Sequence, residues 1–182
     1  MIQPNDLLDH ARRLAGNRRG RPPDVDVRRG ISAAYYAVFH EITGRAAQHL
    51  IGSASLEDQN AIRRAWSHGE VAAVASIVVE RAKAVAASAA VPKSKEAREW
   101  GPLVDIAADD ADLVEMLRLF DELQTLRHRA DYDHDASFDK FALVTACHVA
   151  ERARSLLAGS TAASREALFS LLTVRRKDFR ER

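Results

Sequence analysis

The sequence predicts an all-α protein, a helical bundle with a four- to five-helix core plus a C-terminal helix. The chain is rich in alanine, and its 182 residues include only five prolines and eight glycines, the residue types that interrupt helices most strongly. Apolar residues recur at spacings of three and four, as on one face of a helix, and no useful length of sequence alternates like a strand. The length suits one domain over residues 1–182 that buries about 70% of its unfolded surface.

The N-terminal segment predicts two helices. Asn5 and Asp6 can cap a first helix that runs to about Leu14, and "GNRRGRPPD" then supplies a loop. Asp24 caps a long second helix with an apolar stripe that should face the core: Ile31, Tyr35, Val38, Ile42 and Ala46.

The middle of the chain predicts two further helices and a loop. Ser55 and Asp58 approximate a capping box that opens a helix to about Trp66, and another helix follows over about residues 70–87. The polar stretch "SAAVPKSKEAREWGP", residues 88–102, indicates a mobile loop.

Three helices are predicted in the C-terminal part. The first starts at about Asp109 and has one buried stripe: Leu113, Leu117, Phe120 and Leu123. The second covers about residues 137–158, with an apolar side formed by Phe141, Val144, Cys147 or His148, and Leu156 or Leu157. The third is basic at its end and covers about residues 163–181, where its charge suits the helix dipole.

Composition limits the classes of protein to which the chain could belong. Cys147 is the one cysteine, which excludes an internal disulfide and a multi-cysteine zinc site and favours a reducing, cytoplasmic location. The start "MIQPNDLLDH" has no basic segment followed by an apolar run, and no stretch stays apolar for the roughly eighteen residues that a membrane span needs. We therefore expect a protein with no membrane association.

The charge is unevenly distributed, although the net charge is only +1. Residues 1–50 carry 8 basic and 5 acidic side chains, and residues 141–182 carry 8 and 4, whereas residues 51–140 carry 11 and 17. Basic ends can attract phosphate, but solvated loops and helix faces are the better explanation of either cluster alone.

Titratable side chains concentrate in the connection "RHRADYDH", residues 127–134. We expect Arg127 in the last turn of one helix and His134 in the turn or at the start of the next. A guanidinium can hold a phosphate by two hydrogen bonds and an imidazole titrates near neutral pH, so the pair could bind the scissile phosphodiester of RNA and move the proton of its 2′-hydroxyl. In a purely structural alternative, Arg127 and Arg129 neutralise carbonyls at the helix C-terminus, and Asp133 or Asp135 caps the next helix.

Other known site patterns do not fit the residues. Asp131, Asp133 and Asp135 imitate the first three ligands of a calcium loop, but Ala136 holds its glycine position and Ala142 its final ligand position. The seven histidines include no His-x-x-x-His pair and no HExxH, and the chain has no phosphate-binding glycine loop. The sequence therefore predicts neither a metal nor a cofactor.

Two motifs occur in a characteristic order: "ISAAYYAVFH", residues 31–40, on the long second helix, and "LRHRADYD", residues 126–133. Together they resemble the HEPN family (higher eukaryotes and prokaryotes nucleotide-binding), most closely the branch with a tyrosine-pair helix and a later Arg-x-x-Ala-Asp-Tyr pattern. The resemblance covers about residues 25–158.

The resemblance implies an all-helical bundle that often dimerises and a family motif of arginine, four to six intervening residues, and histidine. Arg127 with His134 fits this motif, and Arg129 with His134 is a second match. We favour Arg127, because it aligns with the arginine of the branch pattern and the polar His128 follows it. In active members the motif cleaves RNA without a metal, and many members act as toxins or defence nucleases.

Some of these toxins are paired with a small nucleotidyltransferase antitoxin that can adenylylate a tyrosine near the motif, here Tyr132. The sequence departs from that pattern, because Tyr132 precedes the histidine, whereas the tyrosine of those toxins follows it. Ala33 and Ala34 also stand where the branch often has a basic residue.

We therefore expect a metal-independent endoribonuclease of HEPN type, related to toxins or defence, that acts on RNA as a cytoplasmic homodimer. The alternatives are a non-catalytic HEPN module that binds a nucleotide or a partner, which the acidic residues beside the motif favour, and a helical interaction domain without a ligand. The expected catalytic residues are Arg127, His134 and Arg129, and the expected substrate-binding residues are His128, Asp131, Tyr132 and Tyr36.

Overall fold

The chain is all-helical throughout the residues that the computed structural model describes, which are 3–16, 22–88 and 100–174. This confirms the all-α prediction. The helices are α1 (Pro4–Gly16), α2 (Asp24–Ile51), α3 (Leu56–Ala65), α4 (His68–Ala86), α5 (Gly101–Ala108), α6 (Ala111–Tyr132), α7 (Lys140–Gly159) and α8 (Ala162–Val174). None of these helices, in the described part of the chain, has the length and apolar character that crossing a membrane requires.

The chain divides into two compact units. Unit 1 contains Met1–Glu41 and Leu119–Ser155, and unit 2 contains Ile42–Arg118 and Leu156–Arg182. Helices α2, α6 and α7 each contribute residues to both units. The single domain over residues 1–182 and the HEPN-like region over residues 25–158 stay predictions.

Unit 1 has an aromatic and aliphatic core between α1, α2, α6 and α7. Tyr35 and Phe120 are its largest fully buried side chains, with ring centroids 5.5 Å apart. A Cβ on Gly30 would lie 2.5 Å from Leu143 Cδ1, so glycine permits α2 and α7 to approach closely there. Burial of each large apolar side chain stabilises the fold by about 1.5–3 kcal/mol. Further buried residues of unit 1 are Leu8, Ala11, Val27, Ile31, Val38, Leu123, Phe138, Ala146, Cys147, Ala150 and Ala153.

In unit 2, side chains cap the N-termini of α3 and α4, and the indole of Trp66 is buried. Ser55 caps α3 by accepting a hydrogen bond from Asp58 N, as predicted, and Ser67 and Glu70 form a full capping box on α4. Trp66 donates from Nε1 to Leu172 O at 3.2 Å. Its buried residues include the predicted stripe residues Ile42, Ala46, Leu113 and Leu117, together with Val74, Val78, Val104, Met116, Leu168 and Leu171.

Two predictions about a loop and a buried side chain were wrong, and two predicted segments extend beyond the described residues. Gly101 and Pro102 were expected in a loop but open α5, where proline is tolerated because the first helical N–H groups have no intrahelical partner. Phe141 was expected on the apolar side of its helix but is 76% exposed. The small residues Ala146 and Ala150 form that buried side with Leu143, because short side chains allow close helix packing. Residues 89–99 of the expected loop and 175–181 of the expected basic helix lie outside the described residues.

Candidate functional site

The candidate site lies in unit 1. Arg127 is in the last turns of α6 and lies beside the first half of α2. The Arg127 side chain is only 16% exposed, and its Nε lies 2.6 Å from Asp131 Oδ2, one helical turn later. The N–H direction does not meet hydrogen-bond geometry, so this contact is an ion pair rather than a directed hydrogen bond. Arg127 also donates from Nη2 to Tyr36 Oη at 3.3 Å. Arg127 therefore connects α6 to α2.

Asp131 is held from two sides. One carboxylate oxygen pairs with Arg127, and the other accepts a hydrogen bond from Ser32 Oγ on α2 at 2.5 Å. The carboxylate therefore neutralises the guanidinium in place, and both its oxygens are occupied by protein groups.

Tyrosine rings surround the Arg127 guanidinium. Its carbon lies 5.4 Å from the ring centroid of Tyr132, 5.6 Å from that of Tyr36 and 6.0 Å from that of Tyr35, all within cation–π range. Burial lowers the pKa of Arg127, but electrostatic interactions with Tyr36, Asp131 and Tyr132 raise it by more, so its pKa lies above the usual value. Arg127 is a permanent cation that cannot act as a proton donor or acceptor in a reaction.

Arg129 points to a different surface. Two residues along a helix correspond to a rotation of about 200°, so Arg127 and Arg129 leave α6 on opposite sides. Arg129 is exposed, and its guanidinium carbon lies 5.8 Å from the ring centroid of Phe138. Arg129 is therefore a guanidinium that solvent can reach, unlike Arg127.

The turn between α6 and α7 is pinned by hydrogen bonds on both sides of His134. Asp133 Oδ1 accepts from Asp135 N at 3.1 Å and from Ala136 N at 3.0 Å. Arg28, on the first turns of α2, donates to Asp133 O at 2.9 Å and also to Ala136 O. Such a turn has little freedom to change its backbone conformation, since its polar groups are already paired.

The structural alternative drawn from the sequence is wrong about the helix cap. Neither Asp133 nor Asp135 caps the next helix, because α7 begins only at Lys140. Asp139 does so instead, by accepting a hydrogen bond from Ala142 N at 2.8 Å. The carbonyls at the end of α6 are bound by Arg28 rather than by Arg127 or Arg129, since Arg28 also donates to Ala130 O.

The two histidines of the motif differ in their surroundings. His134 is exposed in the pinned turn, and no described residue gives it a hydrogen bond or an ion pair. His128 is exposed on α6, with its ring centroid 4.9 Å from that of Tyr132, whose residue is 60% exposed. The structure brings Arg127, Asp131, Tyr36 and Tyr132 together, whereas it holds His134 on the turn and Arg129 against Phe138.

Two residues that organise this site, Arg28 and Ser32, were not predicted from the sequence. Together with Tyr36 they lie four residues apart on α2, so they share one side of the helix and form a polar stripe. Arg28 binds the turn that carries His134, Ser32 binds Asp131, and Tyr36 binds Arg127. The spacing of four residues between Arg28, Ser32 and Tyr36, beside the buried stripe of α2, was the signal in the sequence for this polar stripe. That spacing does not reveal which distant residues these side chains bind.

The residues the structure describes contain no group of three or more histidine, cysteine, aspartate or glutamate side chains placed to hold a metal ion. No protein-family model, curated protein or solved structure matches the chain.

Proposed function

We propose that the protein is a metal-independent endoribonuclease of HEPN type that cleaves RNA through the substrate's own 2′-hydroxyl. The observation that carries the proposal is an imidazole, His134, presented to solvent on a hydrogen-bonded turn that follows a helix bearing two arginines. The reaction class comes from the two sequence motifs, residues 31–40 and 126–133, which occur in the order typical of the HEPN family. A toxin or defence role, with a nucleotidyltransferase antitoxin as a partner, follows from the same resemblance.

The roles of the residues follow from their exposure and charge. His134 would act as general base on the 2′-hydroxyl or as general acid on the leaving 5′-oxygen, because histidine is the side chain that most often transfers a proton in enzyme active sites. Arg129 would bind a neighbouring phosphate of the RNA, since its guanidinium is open to solvent and leaves α6 on the side opposite to Arg127. Arg127 would stabilise the negative charge of the transition state, which requires the phosphate to compete with Asp131 for that guanidinium. His128 and Tyr132 would contact a neighbouring nucleotide, because both rings are exposed.

The ion pair between Arg127 and Asp131 favours a second candidate function. A guanidinium that is paired and 16% exposed is poorly placed to bind a polyanion without rearrangement. A non-catalytic HEPN module would keep this arrangement and bind a nucleotide or a partner protein at the exposed His128 and Tyr132. Binding of a nucleotide without cleavage of RNA would support this candidate over the nuclease.

The nuclease proposal includes a homodimer. One imidazole can serve either the attacking or the leaving oxygen at a given moment, and a symmetric dimer would supply a second His134 to the same phosphate. Three apolar side chains of unit 1 are exposed, namely Val25 on α2, Tyr132 on α6 and Phe141 on α7. A second copy of the chain would cover these exposed apolar side chains.

The test is cleavage of a single-stranded RNA by the purified protein in excess EDTA, with the products identified by mass spectrometry. We expect cleavage to persist, to leave 2′,3′-cyclic phosphate and 5′-hydroxyl ends, and to fail on a substrate whose 2′-hydroxyls are replaced by hydrogen. The matched control is His134→Ala, which should be inactive on the same RNA. Activity that disappears with EDTA and returns with magnesium or manganese would show a metal-dependent mechanism and overturn the proposal.

A further inference from the structure

The Arg28 side chain is hydrogen-bonded to three backbone carbonyls of the segment 130–136, which contains His134. Its Nη1 donates to Ala130 O and to Asp133 O, each at 2.9 Å, and its Nη2 donates to Ala136 O. These carbonyls belong to the last turn of α6 and to the residues before and after His134. No described hydrogen bond or ring contact joins Arg28 to the imidazole itself, so we argue its effect on His134 through the backbone.

The remaining contacts fix the direction of the Arg28 guanidinium. Its Nε lies 2.5 Å from Asp24 Oδ2, one helical turn earlier on α2, and its central carbon, Cζ, lies 5.1 Å from the ring centroid of Phe138. Phe138 is buried and provides a fixed platform. Four of the five N–H donors of the guanidinium are therefore assigned to a carboxylate or a carbonyl.

Arg28 also lies on the same side of α2 as Ser32 and Tyr36, which hold the Asp131 and Arg127 pair. One rigid helix thus sets the position of the Arg127 guanidinium and of the turn that carries His134. A general acid or base works only within hydrogen-bond reach of its proton, so this common reference matters for the chemistry.

We propose that Arg28 is a positioning residue for His134, which holds the 133–136 turn so that the imidazole meets the scissile phosphate in one fixed place. The proposal rests on the nuclease function for its catalytic consequence. Its structural part, the immobilised turn, can be measured without RNA.

The test compares Arg28→Lys with Arg152→Lys, the same chemical change at an exposed position of α7. Lysine keeps the charge but places its donors on one nitrogen, so it cannot span three separate carbonyls. We expect Arg28→Lys to lower kcat by about 10- to 100-fold while KM changes less than about twofold, because His134 acts in the reaction rather than in binding. Arg152→Lys should leave both constants unchanged.

A second readout is amide hydrogen exchange at Asp135 and Ala136 in the protein without RNA. Both N–H groups donate to Asp133 Oδ1 and should exchange at least about tenfold faster in Arg28→Lys, with unchanged exchange in the core of α6. Asp133→Ala, which loosens the same turn while Arg28 is retained, should reproduce the loss of kcat.

The outcomes separate the two proposals. Full activity of Arg28→Lys, or unchanged exchange at Asp135 and Ala136, would overturn the positioning role, since charge alone would then be sufficient. A rise in KM with kcat unchanged would also overturn it, because that result assigns Arg28 to binding of RNA. If the unsubstituted protein cleaves no RNA, the nuclease proposal and the catalytic role of Arg28 both fail, and the exchange measurement alone decides whether Arg28 immobilises the turn.

Discussion

Replacement of Arg127 and of His134 by alanine should have the same effect on activity and very different effects on stability. Arg127→Ala removes an ion pair of about 0.5 kcal/mol, a long hydrogen bond of about 1 kcal/mol and ring contacts of about 0.5 kcal/mol each. The expected loss is about 2–3 kcal/mol, which for a chain of this size lowers the melting temperature by about 5–10 °C. His134 is exposed, so His134→Ala should change the free energy of unfolding by less than about 0.5 kcal/mol.

The two variants should be compared by circular dichroism and by RNA cleavage under the same conditions. Both should keep the helical signal at 20 °C and lose cleavage by at least about 100-fold. A melting temperature of Arg127→Ala equal to that of the unsubstituted protein would refute the contacts assigned to its side chain. Undiminished cleavage by either variant would remove that residue from the mechanism.

Three further predictions concern assembly, a helix cap and the cysteine. The protein should be a dimer by light scattering at micromolar concentration. Phe141→Glu should make it monomeric, whereas the control Val85→Glu, at an exposed position of α4, should leave the dimer intact. An unsubstituted protein that is monomeric and still cleaves RNA would contradict this prediction. Burial raises the pKa of Asp110, but hydrogen bonds from Thr161 N and from Leu113 N lower it by more, so the pKa in the folded protein lies below the ordinary value of 3.8. The ionised carboxylate therefore stabilises the fold when the pH is above 3.8, and this contribution is lost as the pH falls through the folded pKa. Asp110→Ala should therefore cost about 1 kcal/mol in urea unfolding at pH 7 and progressively less below about pH 4, and an equal cost at both pH values would contradict the assignment. Burial raises the pKa of Cys147 to about 11, so a thiol reagent at pH 8 should label it only after unfolding, and rapid labelling of the native protein would show an open thiol.

The helices and most of the core could be predicted from the sequence, because the signals that specify them are local. The stripe from Ile31 to Ala46 is buried along its whole length, since a spacing of three and four places those side chains on one face whatever lies opposite. Ser55 caps α3 as expected, because the cap joins residues only three positions apart. Phe141 shows where local reasoning fails, since its apolar character indicated burial and only the packing partners of α7 decided its exposure.

Local sequence signals also predicted part of the candidate site. The sequence by itself placed Arg127 at the end of a helix and His134 in the following turn, but Asp131 was expected to bind substrate and not to pair with Arg127, four residues earlier. It could not show which of the two arginines is enclosed by tyrosines and which one remains open to solvent. That difference depends on Tyr36, 91 residues earlier in the chain.

Only the tertiary structure decided which residues hold the turn in place. Arg28 reaches carbonyls that are 102, 105 and 108 residues away, and backbone carbonyls have no side-chain identity that a sequence pattern could reveal. Helix formation depends on neighbours within one or two turns, so it can be recognised from spacing alone. A contact between distant segments depends on how the packed helices align, and this alignment makes α2 the common support of Arg127 and of the His134 turn.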